Sequence, residues 1–242
     1  MATIPVVLEL GTRRSFASAV DWPGWCRGAK GEDGALEALA LAADRYRPVA
    51  ALAGFSLPEG AGDAVPFEVV ERVPGNATTE FGAPGVEAEV DRAPLSRVAA
   101  ARMASLVGAA WSYLDAVAAK APEELRKGPR GGGRNRDKIL AHELDAAQMY
   151  VRKLGLRPAD AVLGDPGSVA GFRAAVLEAL GQPWSGEPPA EAPGENPKPD
   201  GKAKPGGKAK PGGKAWPPRY AARRFAWHTL DHAWEIEDRS TV

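Results

Sequence analysis

The sequence predicts an α+β module over residues 1–91, then an all-α, up-down four-helix bundle over residues 92–242 with a disordered insertion between its third and fourth helices. Three observations predict it. Before residue 91 the apolar residues fall in short, β-leaning runs broken by glycine and proline. After Pro94 they recur at helical spacing over long stretches. Residues 185–218 carry almost no large apolar side chain before Trp216 and have little to offset the entropy of ordering.

In the first module, "IPVVLE" (4–9) and "SFASAV" (15–20) flank the glycine-containing turn "LGTRR" and read as a hairpin. "DWPGWCRGAKGEDG" ends it, and Ala35, Leu36, Leu39, Ala42 and Ala43 then mark a helix from Asp33 to about Arg45. "PFEVVERV" (66–73) and "GVEAEVD" (85–91) are expected to add strands. In the bundle, Leu95, Val98, Met103, Leu106, Ala110, Leu114 and Val117 trace one stripe of a long helix that ends before Pro122. A second helix is expected from Arg136 to Leu154, with Ile139, Ala146 and Met149 on its inner face and Gly155 as its stop. A third spans Gly167 to Leu180, and a fourth starts near Tyr220. Between them the insertion repeats "GGKAKP"; its lysines are partly cancelled by Glu187, Glu191 and Glu195, and it reads as a solvated linker.

Composition narrows the function classes. With 44% hydrophobic residues in 242, the chain can bury a sizeable core. Formal net charge is zero, so no global field draws it to nucleic acid. A single cysteine, Cys26, forms no internal disulfide and fits a reducing compartment. No apolar run approaches the roughly 18 residues of a membrane span, and the start lacks the features of a signal peptide. A cytoplasmic protein is expected, with neither membrane nor nucleic acid as partner, and the sequon at Asn76 is read as accidental.

The chain has three histidines. In "FAWHTLDHAWEIEDR", His228 and His232 lie four apart and share a helix face with Arg224, Glu235 and Arg239. His142 shares a face with Ile139, Ala146 and Met149 in the second helix, so all three can meet inside one bundle. A metal site with open coordination positions is one reading of this pattern, and hydrogen-bonded core histidines are the other. Glu235, one turn beyond His232, is the candidate catalytic carboxylate: it can orient an imidazole, act as a base, or pair with Arg239 or Arg224.

A helix bearing one histidine ("KILAHELDAAQMYVRKLG"), a further helix, and a last helix with His-x3-His ("WHTLDHAWEIEDR") resemble the DinB-like, or DinB/YfiT, four-helix bundle superfamily over residues 94–242. The resemblance implies that His142, His228 and His232 bind a divalent ion of the zinc, nickel or iron class. It also implies a metal-dependent S-transferase or isomerase whose partners are a low-molecular-weight thiol cosubstrate and an electrophile. A non-catalytic, metal-dependent regulatory protein is the alternative. The glycine-rich basic loop "RKGPRGGGRNRDK" precedes the helix of His142 and lacks the phosphate-loop pattern. It offers Arg130, Arg134 and Arg136 as candidates to bind an anionic group of a substrate, against the reading of a solvated connector. The "PGW" turn leading into "ALEAL" gives the first module a resemblance to the HicB-like antitoxin fold, which implies the further alternative of an antitoxin-type interaction protein, with a protein partner or homodimer through that module and Trp22 and Trp25 as recognition surface or core.

Overall fold

The structure is a computed structural model that describes residues 3–63, 65–128, 132–186 and 215–240. Its layout is α+β: a four-stranded mixed sheet in the N-terminal part and, among the described residues, seven α-helices, mostly C-terminal.

The expected hairpin forms from β1 (Ile4–Leu10) and β2 (Ser15–Ala19), paired antiparallel with Leu8 opposite Ala17. Strand β3 (Cys26–Ala29) continues antiparallel beside β2, and β4 (Phe67–Pro74) lies parallel to β1, giving the order β3-β2-β1-β4. A parallel pair needs a crossover, which α1 (Gly31–Leu41) and α2 (Ala43–Leu52) provide. The single helix expected from Asp33 to Arg45 is thus two helices that meet at Ala42 and run on to Leu52. Pro48 reads as a breaker in sequence, but burial of Tyr46, Val49 and Ala50 carries α2 through it.

The strand expected at 85–91 does not form. Residues Glu89–Arg92 make a short 3-10 turn whose first amides, Glu89 and Val90, donate to the Glu71 carboxylate on β4. The alternation that suggested a strand is real one-sided burial, because Val86, Ala88 and Val90 pack on Val7, Val20 and Val73 without joining the ladder. Asn76, read as an accidental sequon, caps α3 (Ala77–Phe81) by accepting from the amides of Thr78 and Thr79.

Four longer helices follow: α4 (Arg97–Lys120), α5 (Arg136–Lys153), α6 (Pro166–Leu180) and α7 (Pro218–Ser240). Side chains start two of them, Ser96 accepting from the Ala99 amide and Asp165 from those of Gly167 and Ser168. Two expected core positions are on the surface: Val98 is 81% exposed and Met149 58%. The buried line of α5 runs Ile139, Glu143, Ala146, Ala147. A carboxylate at its centre rotated the face drawn through apolar residues alone. On α4 the line passes through Ala100 and Met103 and leaves Val98 outside.

Helix α7 is buried continuously from Arg219 to Leu230 and packs on α4, α5 and α6. It also reaches the N-terminal part. Arg219 pairs with Asp21 and Arg223 with Asp91, and Trp227 packs on Phe16 and Cys26. Gly24, at φ 93°, lets α7 come close, since a Cβ there would stand 2.6 Å from Leu230 Cδ1. One core runs from Ile4, Val6 and Leu8 of the sheet through Trp25 and Tyr46 to Met103, Leu106, Phe225 and Leu230.

Residues 187–214 of the expected insertion lie outside the described residues. At its far edge the chain is packed inside the bounds drawn from sequence: the Trp216 amide donates to the Lys153 carbonyl at 2.9 Å, and its ring lies 5.2 Å from that of Tyr150. Among the described residues no helix is long and apolar enough to cross a membrane.

Candidate metal centre

Helices α5 and α7 bring the three histidines together. The i, i+4 spacing aligns His228 and His232, with ring centroids 4.6 Å apart, and His142 approaches them at 5.2 and 5.1 Å. One nitrogen from each ring lies within 4.8 Å of the others, the one such cluster of His, Cys, Asp or Glu among the described residues. Two sets of contacts near the histidines tie α5 to its neighbours. Ile139 packs with Ala233 and Ile236, and the Glu143 carboxylate accepts from Thr229 Oγ1 at 2.6 Å and Trp111 Nε1 at 3.1 Å.

Two of the three donors are in the state a cation needs. Burial, reinforced by the neighbouring His232 and His142, pushes His228 down to about 2. Burial, with Arg134 and His232 nearby, also lowers His142. Both rings are therefore neutral at pH 7, with lone pairs available. His232 Nδ1 lies 3.0 Å from Glu235 Oε2, and the other Glu235 oxygen accepts from Arg239 at 2.5 Å. A proton on Nδ1 shared with Glu235 leaves the Nε2 lone pair free to ligate. The bond to His232, aided by Arg239, holds the Glu235 carboxyl below the usual carboxylate range against the opposing effect of burial. Nitrogen ligands at about 2.1 Å around a tetrahedral ion sit roughly 3.4 Å apart, so these side chains fit an ion after shifts on the order of an ångström.

The arginines selected from sequence fare differently. Arg134 lies near enough to depress both His142 and His228, and its carbonyl accepts from Arg239. The Arg136 guanidinium is engaged by the Ala121 carbonyl and by Asp137, tying the start of α5 to the end of α4. Arg130 lies outside the described residues. Trp22 and Trp25 are buried; Trp25 donates to the Leu39 carbonyl and stacks on Tyr46, so both belong to the core. Cys26 is buried, accepts from Ser18 Oγ at 3.0 Å, and is pushed up to about 12 by burial, so it stays protonated at neutral pH.

Of four neighbours of the histidines, sequence reasoning gave a role only to Arg224, as a partner for Glu235. Arg224 donates to Tyr150 Oη at 3.0 Å and to the Pro84 carbonyl, and the Tyr150 ring lies 5.7 Å from His228. The Trp227 ring lies 6.0 Å from that of His228 and 6.2 Å from that of Phe16 of the sheet. Glu143, pushed up by burial, is the fourth. Its signal in the sequence was a charge on the 139, 143, 146, 147 line of an otherwise apolar helix face. No family model, curated protein or solved structure matches the chain.

Proposed function

We propose that the protein is a divalent-metal protein of the DinB-like kind, with α4–α7 as its four-helix bundle, and that it transfers a low-molecular-weight thiol to an electrophile. His142, His228 and His232 would hold the ion. The observation that carries this reading is that the chain's three histidines, from two helices, converge with one nitrogen of each within 4.8 Å of the others. Support for the bundle comes from the packing of α7 on α4, α5 and α6.

A bound ion of the zinc, nickel or iron class would supply the positive charge that holds a thiol as its thiolate, with positions left open by three protein ligands. The protein's own groups do the rest. Glu235 accepts from His232 and is itself held by Arg239, so it fixes the imidazole, and its depressed pKa makes it a weak base. Arg134 places positive charge beside the histidines, suited to an anionic group on either substrate. Cys26, protonated and buried, is no nucleophile, so the thiol comes from solution.

The test is metal analysis of protein purified without a histidine tag, followed by addition of small biological thiols to a panel of electrophiles with and without chelator. A metal-dependent rate is expected. Protein that neither carries nor takes up metal would end the reading, and stoichiometric metal without any rate would leave a metal-dependent binding protein.

A further inference from the structure

Glu143 is an expensive residue for its place. It is 4% exposed on α5, between α4 and α7, and its Oε1 serves both Thr229 and Trp111, themselves 1% and 2% exposed. Replacing a buried polar set by apolar groups of the same shape is often neutral or stabilising, so stability alone does not account for a carboxyl here. Its position does. Glu143 follows His142 in sequence and Thr229 follows His228, so one hydrogen bond joins the neighbours of two ligands on facing helices.

The large contact between these helices, Tyr150 on Phe225 with the bond from Arg224, lies about two turns from His142, and beside the histidines the apolar side chains are mostly small. The α5 side offers Ala146 and Ala147 beside Ile139, and the α7 side offers Ala233 beside Ile236. Small side chains give shallow ridges that slide. A slip of one residue moves a helix by about 1.5 Å and turns it by roughly 100°, enough to take the His142 ring away from the other two. A directional bond, anchored to a third helix through Trp111, resists both motions.

We propose that Glu143 is a positioning residue. Through Thr229 and Trp111 it sets the register at which His142 meets His228 and His232. The inference rests on the three-histidine reading but is tested separately from it. In the metal-free protein, NMR contacts between the His142 ring protons and those of His228 and His232 report the register directly. In parallel, Co2+ affinity and the visible absorption of bound Co2+ report the ligand geometry. The Glu143→Leu, Thr229→Val double variant should keep a cooperative thermal transition, lose the inter-ring contacts, and bind Co2+ about 10- to 100-fold more weakly with an altered spectrum. Glu143→Gln, which retains an acceptor oxygen, should keep the contacts and most of the affinity. Should the double variant fail to fold, Thr229→Val alone breaks the same bond and should weaken the same contacts. Inter-ring contacts that persist unchanged in a folded variant overturn the proposal whether or not metal binds. Contacts present in the parent and lost in the variant, with no Co2+ taken up by either, support the register role and remove the metal reading.

Discussion

Helix α7 carries two buried polar clusters little more than a turn apart, and they are built on opposite plans. At Arg223 the charge is met in full: its guanidinium donates to both oxygens of the fully buried Asp91, at 3.0 and 2.5 Å, and Asp91 also accepts from the Ala88 amide. At His228 and His232 the rings face another imidazole, each depressing the basicity of His228, and the one carboxylate in contact, Glu235, touches the outer nitrogen of His232. The first cluster is complete within the protein and reads as a clamp between α7 and the N-terminal part. The second sets three imidazoles against one another, with Glu235 meeting one of them. The difference teaches that burial of polar groups is not itself a functional signal. What separates the cases is whether each donor and acceptor already has its opposite.

The comparison breaks most sharply at the histidines. Replacing His142, His228 and His232 together by alanine should abolish stoichiometric divalent-metal binding, with a stability cost that comes from the buried ring volume and the lost His232–Glu235 bond. Equilibrium dialysis against Zn2+ checks the first part, and full binding by the triple variant would refute the ligand assignment. Asp91→Ala should act on stability alone. Leaving Arg223 uncompensated in the interior should cost about 3–5 kcal/mol in urea unfolding, with the affinity of the folded fraction for metal unchanged.

A smaller effect follows from pH. An unfolded histidine titrates near 6.5, whereas folded His228 is down at about 2, so between these values the unfolded chain binds more protons. Stability of the metal-free protein should therefore fall as pH drops below about 6.5, by up to about 1.4 kcal/mol per unit from this residue. His142 acts in the same direction. Glu143, raised by burial, acts oppositely: its contribution is present below about 4.5 and is lost as pH rises through its folded pKa. Urea titrations at pH 5 and 7 should show the metal-free protein weaker at pH 5, with a shallower slope in His228→Gln. A slope unchanged by His228→Gln would mean that this ring is not buried in the neutral state.

The fold was legible where periodicity reported burial directly. The β1–β2 hairpin, β4 and the four long helices stand within a few residues of their predicted bounds. It failed where local pattern and tertiary context disagree. Pro48 is tolerated because its neighbours are core, and residues 85–91 alternate without a strand to pair with. The approach of the histidines was readable from spacing because three such residues on helical faces admit few arrangements. Their supports were not. Trp227 and Tyr150 are ordinary core aromatics in a sequence, and Glu143, adjacent to His142, points in a different direction from it on the helix and so carries no role in the sequence reading.

The smallest expected effect concerns a third buried group against α7. The Cys26 thiol packs with Phe16 and Trp227 and accepts from Ser18 Oγ. Its chemistry is suppressed by burial, which pushes it up to about 12 and leaves negligible thiolate at neutral pH. If the nucleophile of the proposed transfer arrives from solution, Cys26→Ser should leave the metal-dependent rate and the metal affinity unchanged. It should cost on the order of 1 kcal/mol of stability, because a hydroxyl buries less well than a thiol although it can keep a hydrogen bond to Ser18. Thiol-specific alkylation of the native protein should be slow and should accelerate only on unfolding. A transfer rate that vanishes in Cys26→Ser while metal is retained would mean that the N-terminal part supplies the nucleophile, and the division between a clamped face and a reactive face of α7 would have to be redrawn.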